Sequence, residues 1–300
     1  MKKLLFTLLF LTLGSAWGGA LEDGVAAFRR GDYVAAAKLF QPLAEQGGAK
    51  AQAHLGWMYD NGWGVLQDYK EALRWYQLAA GQGEADSQVN LGVMYGKGQG
   101  VTQDYKEALK WFRLAAEQGS TTAQVNLGLM YSEGQGVTQD YKEAVRLYRL
   151  AAEHGYAQQF SLGYMYAEGK GVTQDYKEAV RWYRLAAERG RVDAQFNLAL
   201  MYDKGQGVLQ DYREAVKWYR LAAAQGNQTA QNNLGVMYAT GQGVLQDYTR
   251  AHMWYNLASA AGEAQGTENR DIIAKKMTPQ QVEKAQEMAK ACQARNFKGC

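Results

Sequence analysis

The sequence repeats itself with a period of 36 residues, and this periodicity constrains the fold more than any other feature. The string Leu-Gly-x-Met-Tyr recurs along most of the chain, with one step of 35 residues. Its copies begin at Leu55, Leu91, Leu127, Leu162, Leu198 and Leu234, the fifth with Ala199 in place of glycine. Each copy continues into Gly-x-Gly-Val, Asp-Tyr and an alanine-rich segment with an aromatic residue. Internal repeats of this length indicate an array of stacked supersecondary units.

The first half of each repeat is predicted to be a helix. In the third copy, Ala123, Leu127 and Met130 share one helical face, and Gly128 beside them leaves room for a neighbouring helix. The Gly-x-Gly that follows offers backbone with positive φ, which ends a helix and starts a turn. A phosphate-binding role for these glycines is disfavoured because they follow helices and recur in every copy.

The second half of each repeat is predicted to be a helix with an explicit start. Asp104 and Glu107 have the spacing of a reciprocal capping pair, in which each side chain accepts a backbone N–H. The pair recurs in five repeats, and only the last departs from it, with Arg250 where the others have glutamate. Ala108 and Trp111 begin the apolar face of this helix. Two short helices cannot bury both faces alone, so the repeats must stack on one another.

These residues resemble the Sel1-like repeat family, a relative of the tetratricopeptide repeats, from Ala51 to Gly262. The resemblance implies an all-α fold, a right-handed superhelical solenoid of antiparallel helix pairs that serves as a protein-interaction scaffold. We expect a degenerate tetratricopeptide-like helix pair at 21–50 and a capping helix at 263–300 that starts at Thr278. The six repeats between them are predicted at 51–86, 87–122, 123–156, 157–193, 194–229 and 230–262.

The first 20 residues have the pattern of a signal peptide. Lys2 and Lys3 precede an apolar run from Leu4 to Leu13, and small residues follow it up to Ala20. The run is shorter than the roughly 20 apolar residues that span a bilayer, so no stable membrane insertion is expected. We predict cleavage after Ala20, with Ala16 as the alternative, and a mature protein that is periplasmic or secreted.

Composition argues against nucleic acid, metals and cofactors as ligands. The net charge of +3 falls to +1 without Lys2 and Lys3, and the remaining charges are interspersed rather than gathered in a basic stripe. The three histidines are far apart in sequence, and no zinc-ligand spacing occurs. Cys292 and Cys300 form a local pair, which in an oxidising compartment predicts one disulfide. We expect a monomer with no cofactor and no metal.

The family resemblance is the only argument for enzymatic activity. Some exported, cysteine-rich members of the family have been linked to penicillin recognition and β-lactam hydrolysis. This chain lacks their cysteine pair in every repeat, and none of its serines lies in S-x-x-K or G-x-S-x-G. We predict a non-catalytic scaffold; the alternative is a peptidoglycan- or β-lactam-interacting hydrolase.

The repeats differ from one another mainly on one face of the first helix, and this variation suggests a binding surface. Positions that stacking requires stay constant between copies, whereas positions that vary are free of that demand. In tetratricopeptide arrays the corresponding face lines a groove, which suits a segment of another protein or peptide. The predicted partner-binding residues are Val89, Asn90, Val93, Val125, Asn126, Leu129, Phe160, Tyr164, Phe196, Asn197, Leu200 and Asn233. The alternative is that the asparagines bond neighbouring helices and the apolar column is tight interior.

Overall fold

The structure, a computed structural model, describes residues 19–152, 156–297, 299 and 300, apart from the side chains at 156 and 157. The predicted signal peptide up to residue 18 and His154 lie outside the described residues. The chain divides into two compact units, Met1–Ala151 (unit 1) and Ala152–Cys300 (unit 2). Sixteen helices and no strand occur in the described part of the chain, which confirms the predicted all-α fold of helix pairs.

Successive helices are joined by short loops in both units. The helices up to the unit boundary are α1 (19–29), α2 (Tyr33–Glu45), α3 (Ala49–Asn61), α4 (Tyr69–Gly81), α5 (Ala85–Lys97), α6 (Tyr105–Glu117), α7 (Thr121–Glu133) and α8 (Tyr141–Ala152). Those of unit 2 are α9 (Tyr156–Glu168), α10 (Tyr176–Glu188), α11 (Val192–Lys204), α12 (Tyr212–Ala223), α13 (Gln228–Thr240), α14 (Tyr248–Ala260), α15 (Ala264–Ala274) and α16 (Pro279–Ala294). Odd-numbered helices α3 to α13 are the first helices of the repeats, and α4 to α14 are the second helices.

The Gly-x-Gly loops are turns, as predicted, and each glycine has its own reason. Gly98 ends α5 in the left-handed conformation (φ 70°), and its N–H donates to the Met94 carbonyl. Gly100 also has positive φ, and a Cβ there would lie 2.4 Å from the carbonyl oxygen of Tyr69. The second glycine therefore lets the loop lie against the start of the second helix of the preceding repeat.

The second helices begin at the predicted aspartates, but the reciprocal half of the predicted capping pair is wrong. Asp104 Oδ1 accepts the backbone N–H groups of Lys106 (2.8 Å) and Glu107 (3.1 Å). The Asp104 N–H already donates to the carbonyl of Tyr95 at 2.9 Å, so it has no need of the glutamate. Glu107 instead pairs with Lys110 at 3.3 Å. A reciprocal capping box does form at α16, between Thr278 and Gln281.

The glycine that recurs in the first helices makes the predicted close approach, and its neighbour is an aromatic ring of the second helix. A Cβ on Gly128 would lie 2.5 Å from the ring of Tyr148, and one on Gly56 would lie 2.6 Å from Tyr76. Ala199, the exception, is fully buried, as is Tyr219. One extra methyl group is therefore accommodated in that repeat.

Buried glutamines link consecutive repeats in a way that the sequence did not reveal. Gln88 Nε2 donates to the Ala80 carbonyl (3.3 Å), while its Oε1 accepts from Gln118 (2.8 Å). In unit 2, Gln195 and Gln225 repeat the arrangement, with 2.8 Å between their side chains. Gln88 and Gln195 thus each donate to a carbonyl at the end of the previous helix and accept from a glutamine at the end of the following helix.

The end of the chain is packed onto the last repeat. Ala285, Ala289 and Cys292 of α16 are buried, and Ala289 and Cys292 belong to the core of unit 2. Cys292 and Cys300 form the predicted disulfide. The bond holds the last residues close to α16.

His252 of α14 should make the stability of the protein sensitive to mild acid. It is buried, and its Nδ1 has no hydrogen-bond partner among the described residues. Burial lowers its pKa, Arg270 lowers it further, and Asp271 opposes both. The unfolded chain therefore binds the proton more readily, so stability is present above the ordinary histidine pKa of about 6.5 and is lost as the pH falls towards the folded pKa.

The matched variant is His252→Val, because Val216 occupies the equivalent position of the preceding repeat. We expect the urea midpoint of the wild type to fall more steeply than that of H252V between about pH 7 and about pH 5. Equal slopes would show that His252 does not contribute to the acid sensitivity.

Candidate partner-binding surface

In unit 1, the predicted apolar residues of the first helices lie on α5 and α7 and are unevenly exposed. Val89 is buried, at 8% exposure, and belongs to a core cluster. Val93 and Val125 are half-buried, whereas Leu129 of α7 is 43% exposed. We call Val89, Val93, Val125 and Leu129 the unit 1 face. It combines a buried floor with an accessible apolar side chain.

In unit 2, the corresponding residues lie on α9 and α11. Tyr164 is 41% exposed, and its hydroxyl accepts from Lys170 Nζ at 2.8 Å. Phe160 is half-buried between the ring of Tyr183 (centroids 5.7 Å apart) and the guanidinium of Arg191, which lies 4.5 Å from its centroid. We call Phe160, Tyr164, Phe196 and Leu200 the unit 2 face. Phe196 and Leu200 are half-buried, so only Tyr164 projects well into solvent.

The predicted asparagine column divides into two groups. Asn126 Nδ2 donates to the Thr122 carbonyl of its own helix (2.9 Å), and Asn233 Nδ2 donates to the Tyr219 hydroxyl (3.2 Å). Asn90 and Asn197 are half-buried, and no described residue forms a hydrogen bond with either side chain. Asn233 therefore serves its neighbouring helix, whereas the amides of Asn90 and Asn197 have unused donors and acceptors.

A cavity of about 420 Å³ lies beside Asn90 in unit 1. Its walls include Phe28, His54 and Trp57, and Glu84 and Asp86 lie among its polar residues. His54 stacks on Phe40 with the ring centroids 4.6 Å apart. Burial lowers the pKa of His54, more than the Glu84 carboxylate raises it. The ring therefore favours its neutral form, which offers both a donor and an acceptor to a ligand.

Trp57 occupies the same repeat position as Val93 of the predicted face, whereas Phe28 and Trp63 were not predicted as functional. Trp57 and Trp63 lie edge to face with centroids 4.5 Å apart, and Phe28 lies 5.2 Å from Trp57. A comparison of the repeats could have identified Trp63, because the next repeat has Gln99 at the equivalent position. Aromatic residues of this kind are common at interaction surfaces.

Within the described ranges, no three histidine, cysteine or acidic side chains lie close enough together to hold a metal ion. In the same ranges, no helix is long and apolar enough to cross a membrane.

Comparison with protein families decides what kind of chain this is. The Sel1 repeat model matches seven segments, at 16–48, 49–84, 85–120, 121–156, 159–190, 192–227 and 228–263. The chain belongs to the Sel1 repeat family. No curated protein sequence matches it.

Two solved Sel1 repeat structures resemble the chain closely. A Sel1 repeat protein from Oxalobacter formigenes is 36% identical, with a TM-score of 0.68, over 80% of this chain and 96% of that protein. The protein c5321 of uropathogenic Escherichia coli, a protective antigen with an SLR fold, is 28% identical, with a TM-score of 0.53, over 98% of this chain and 96% of that protein. The Sel1 repeat is a scaffold fold consistent with protein–protein interaction.

Proposed function

We propose that the protein is an exported, non-catalytic scaffold that binds a segment of another protein or peptide on the exposed faces of its first helices. The observation that carries the proposal is the exposure of two large apolar side chains, Leu129 and Tyr164, on helices whose neighbouring positions are buried. Apolar side chains of this type, surrounded by half-buried residues, stabilise a complex when a partner removes them from water.

Polar groups beside each face complement the apolar anchors. The side chains of Asn90 in unit 1 and Asn197 in unit 2 can donate and accept at once, which suits the backbone of a bound peptide whatever its sequence. A partner that binds both kinds of group fills a half-buried apolar floor and pairs with the amides on its rim. Specificity then comes from the anchors, since the backbone contacts are common to all peptides.

Two features support export to the periplasm or the exterior. The first 20 residues have the charge and hydropathy pattern of a signal peptide. The Cys292–Cys300 disulfide is of a kind that persists in oxidising compartments. An exported scaffold meets partners of the cell envelope or of the surroundings. Affinity capture of its partner should therefore start from an envelope fraction.

The test uses Leu129→Ser and Tyr164→Ser, one change in each face, in affinity capture from an envelope fraction followed by mass spectrometry. Both side chains are more than a third exposed, so each change should alter the melting temperature little while reducing capture of the specific partner about tenfold. Leu209→Ser is the matched control, because Leu209 is 91% exposed and lies in a loop outside both faces.

Retained capture in both face variants would contradict the proposal. So would an equal loss in L209S, since that result would reflect general surface hydrophobicity. A collapse of folding in L129S or Y164S would favour the alternative that these columns are structural interior.

A further inference from the structure

A second cleft, of about 650 Å³, lies on the second-helix side of unit 2. It is bounded by α12, by α14 and by Phe297, Gly299 and Cys300. Its lining includes the cations Lys217, Arg220 and Arg250 and the aromatic residues Tyr238, Trp254 and Phe297. No acidic side chain lines it among the described residues, but Cys300, which carries the chain-terminal carboxylate, does, and Lys217 is paired with Glu214 at 3.3 Å. The cleft therefore combines positive charge with apolar walls.

Two guanidinium groups converge on one ring in this cleft. Arg220 Nη2 donates to the Tyr238 hydroxyl at 2.5 Å, and its Cζ lies 5.8 Å from the ring centroid. Arg250 Cζ lies 5.6 Å from the same centroid. The Asp247 carboxylate is 3.6 Å from Arg250, whereas the Arg220 guanidinium is hydrogen-bonded to the Tyr238 hydroxyl. An anion in the cleft could accept charge-assisted hydrogen bonds from either guanidinium.

The equivalent crevice of unit 1, between α6 and α8, has a different charge balance. Arg113 and Tyr131 occupy the positions of Arg220 and Tyr238 and make the same hydrogen bond, at 2.7 Å. That crevice is also lined by Glu117 and Glu143, which supply two carboxylates.

The two carboxylate positions are occupied by other residues in the last two repeats. Ala224 stands where unit 1 has Glu117, and Arg250 stands where it has Glu143. The two changes convert a crevice of balanced charge into a basic one. Stacking alone does not require this, because the other repeats pack with glutamate at the Arg250 position.

We propose that the cleft binds a small organic anion, in which a carboxylate or phosphate is attached to an apolar group. Arginine pairs presented in this way suit both anions, since the planar guanidinium donates two parallel hydrogen bonds to either. Trp254, Phe297 and Leu221 supply an apolar surface for the rest of the molecule. The cleft volume lies within the usual range of small-molecule sites. This site is formed by second helices and is independent of the first-helix faces.

The test is isothermal titration calorimetry of the purified protein with phenyl phosphate and with benzoate. Inorganic phosphate and benzyl alcohol are the probes that lack the apolar group and the charge, respectively. The decisive variant is Arg250→Glu, which restores the residue of the other repeats and is therefore compatible with the fold. Arg250→Gln repeats the test without reversing the charge. Arg213→Glu is the matched control, because Arg213 is exposed in the first turn of α12 and does not line the cleft.

We expect at least one of the two aromatic anions to bind more tightly than inorganic phosphate, and benzyl alcohol not to bind. R250E and R250Q should weaken binding by about tenfold or more, while R213E changes it less than about twofold. Tighter binding of phenyl phosphate assigns a phosphate, and tighter binding of benzoate assigns a carboxylate; either supports the proposal. Absence of binding by both anions, unchanged affinity in R250E, or an equal loss in R213E would overturn it. If inorganic phosphate binds as tightly as phenyl phosphate, the apolar walls contribute nothing to binding, and the proposal of an apolar group on the ligand is overturned.

Discussion

Replacing Gly207 with alanine is expected to lower the free energy of unfolding of unit 2 by about 3–5 kcal/mol. Gly207 is the second glycine of its Gly-x-Gly loop, with φ of +72°, and a Cβ there would lie 2.2 Å from the carbonyl oxygen of Tyr176. The obstacle is backbone at the start of α10, which cannot move aside as a flexible side chain can. Urea denaturation followed by circular dichroism measures the loss.

Gly190→Ala is the matched control for this prediction. Gly190 also has positive φ, +89°, but no atom would lie within 4 Å of an added Cβ. Only the conformational strain remains, which costs about 1–2 kcal/mol. If G207A and G190A destabilise unit 2 equally, the close contact with Tyr176 contributes nothing beyond backbone strain.

Truncation of Tyr76 to alanine is expected to destabilise unit 1 by about 3–5 kcal/mol, because it leaves a cavity in a close-packed core. Tyr76 is fully buried, and its ring packs against Gly56, where an added Cβ would lie 2.6 Å away. Gly56 of α3 leaves the space that this ring occupies. Removing the ring therefore removes the main contact between the two helices of the repeat at this position.

Tyr76→Phe should behave oppositely and leave stability unchanged or slightly higher. The Tyr76 hydroxyl is buried with no hydrogen-bond partner, and burial raises the pKa of this group. Removing an unpaired polar group relieves its desolvation cost. Phe112 occupies the equivalent position of the next repeat, so the ring fits without the hydroxyl. Thermal unfolding of both variants tests the pair, and similar losses in Y76F and Y76A would show that the hydroxyl has a structural role.

The repeats allowed most of the fold to be predicted, because several copies of one unit act as an internal comparison. Gly128 was expected to admit a neighbouring helix, and the structure identifies its neighbour as Tyr148. The reciprocal caps were wrong because the Asp104 N–H finds its acceptor at Tyr95, outside the local pattern. The Gln88–Gln118 pair was missed for the same reason, since its partners are 30 residues apart.

The binding surfaces were less predictable, because exposure depends on neighbouring helices and not on spacing within one helix. Val89 and Val125 occupy the same repeat position, yet the first is buried and the second half-buried. The basic cleft had a sequence signal in Arg250, the departure from the capping pair. That Arg250 belongs to a cleft could not be predicted, because Arg220 and Phe297 come beside it only in the folded chain.

The contact of the second loop glycine with the preceding repeat determines which segments can be exchanged without damage. The loop that contains Gly100 lies against Tyr69, so each repeat supplies half of a junction that its neighbour completes. A segment of one full period, excised at any point, leaves the same two halves facing each other. A segment that is not a whole repeat brings together surfaces that do not match. Gain and loss of whole periods is thus the route by which such a chain can change its length during evolution and still fold.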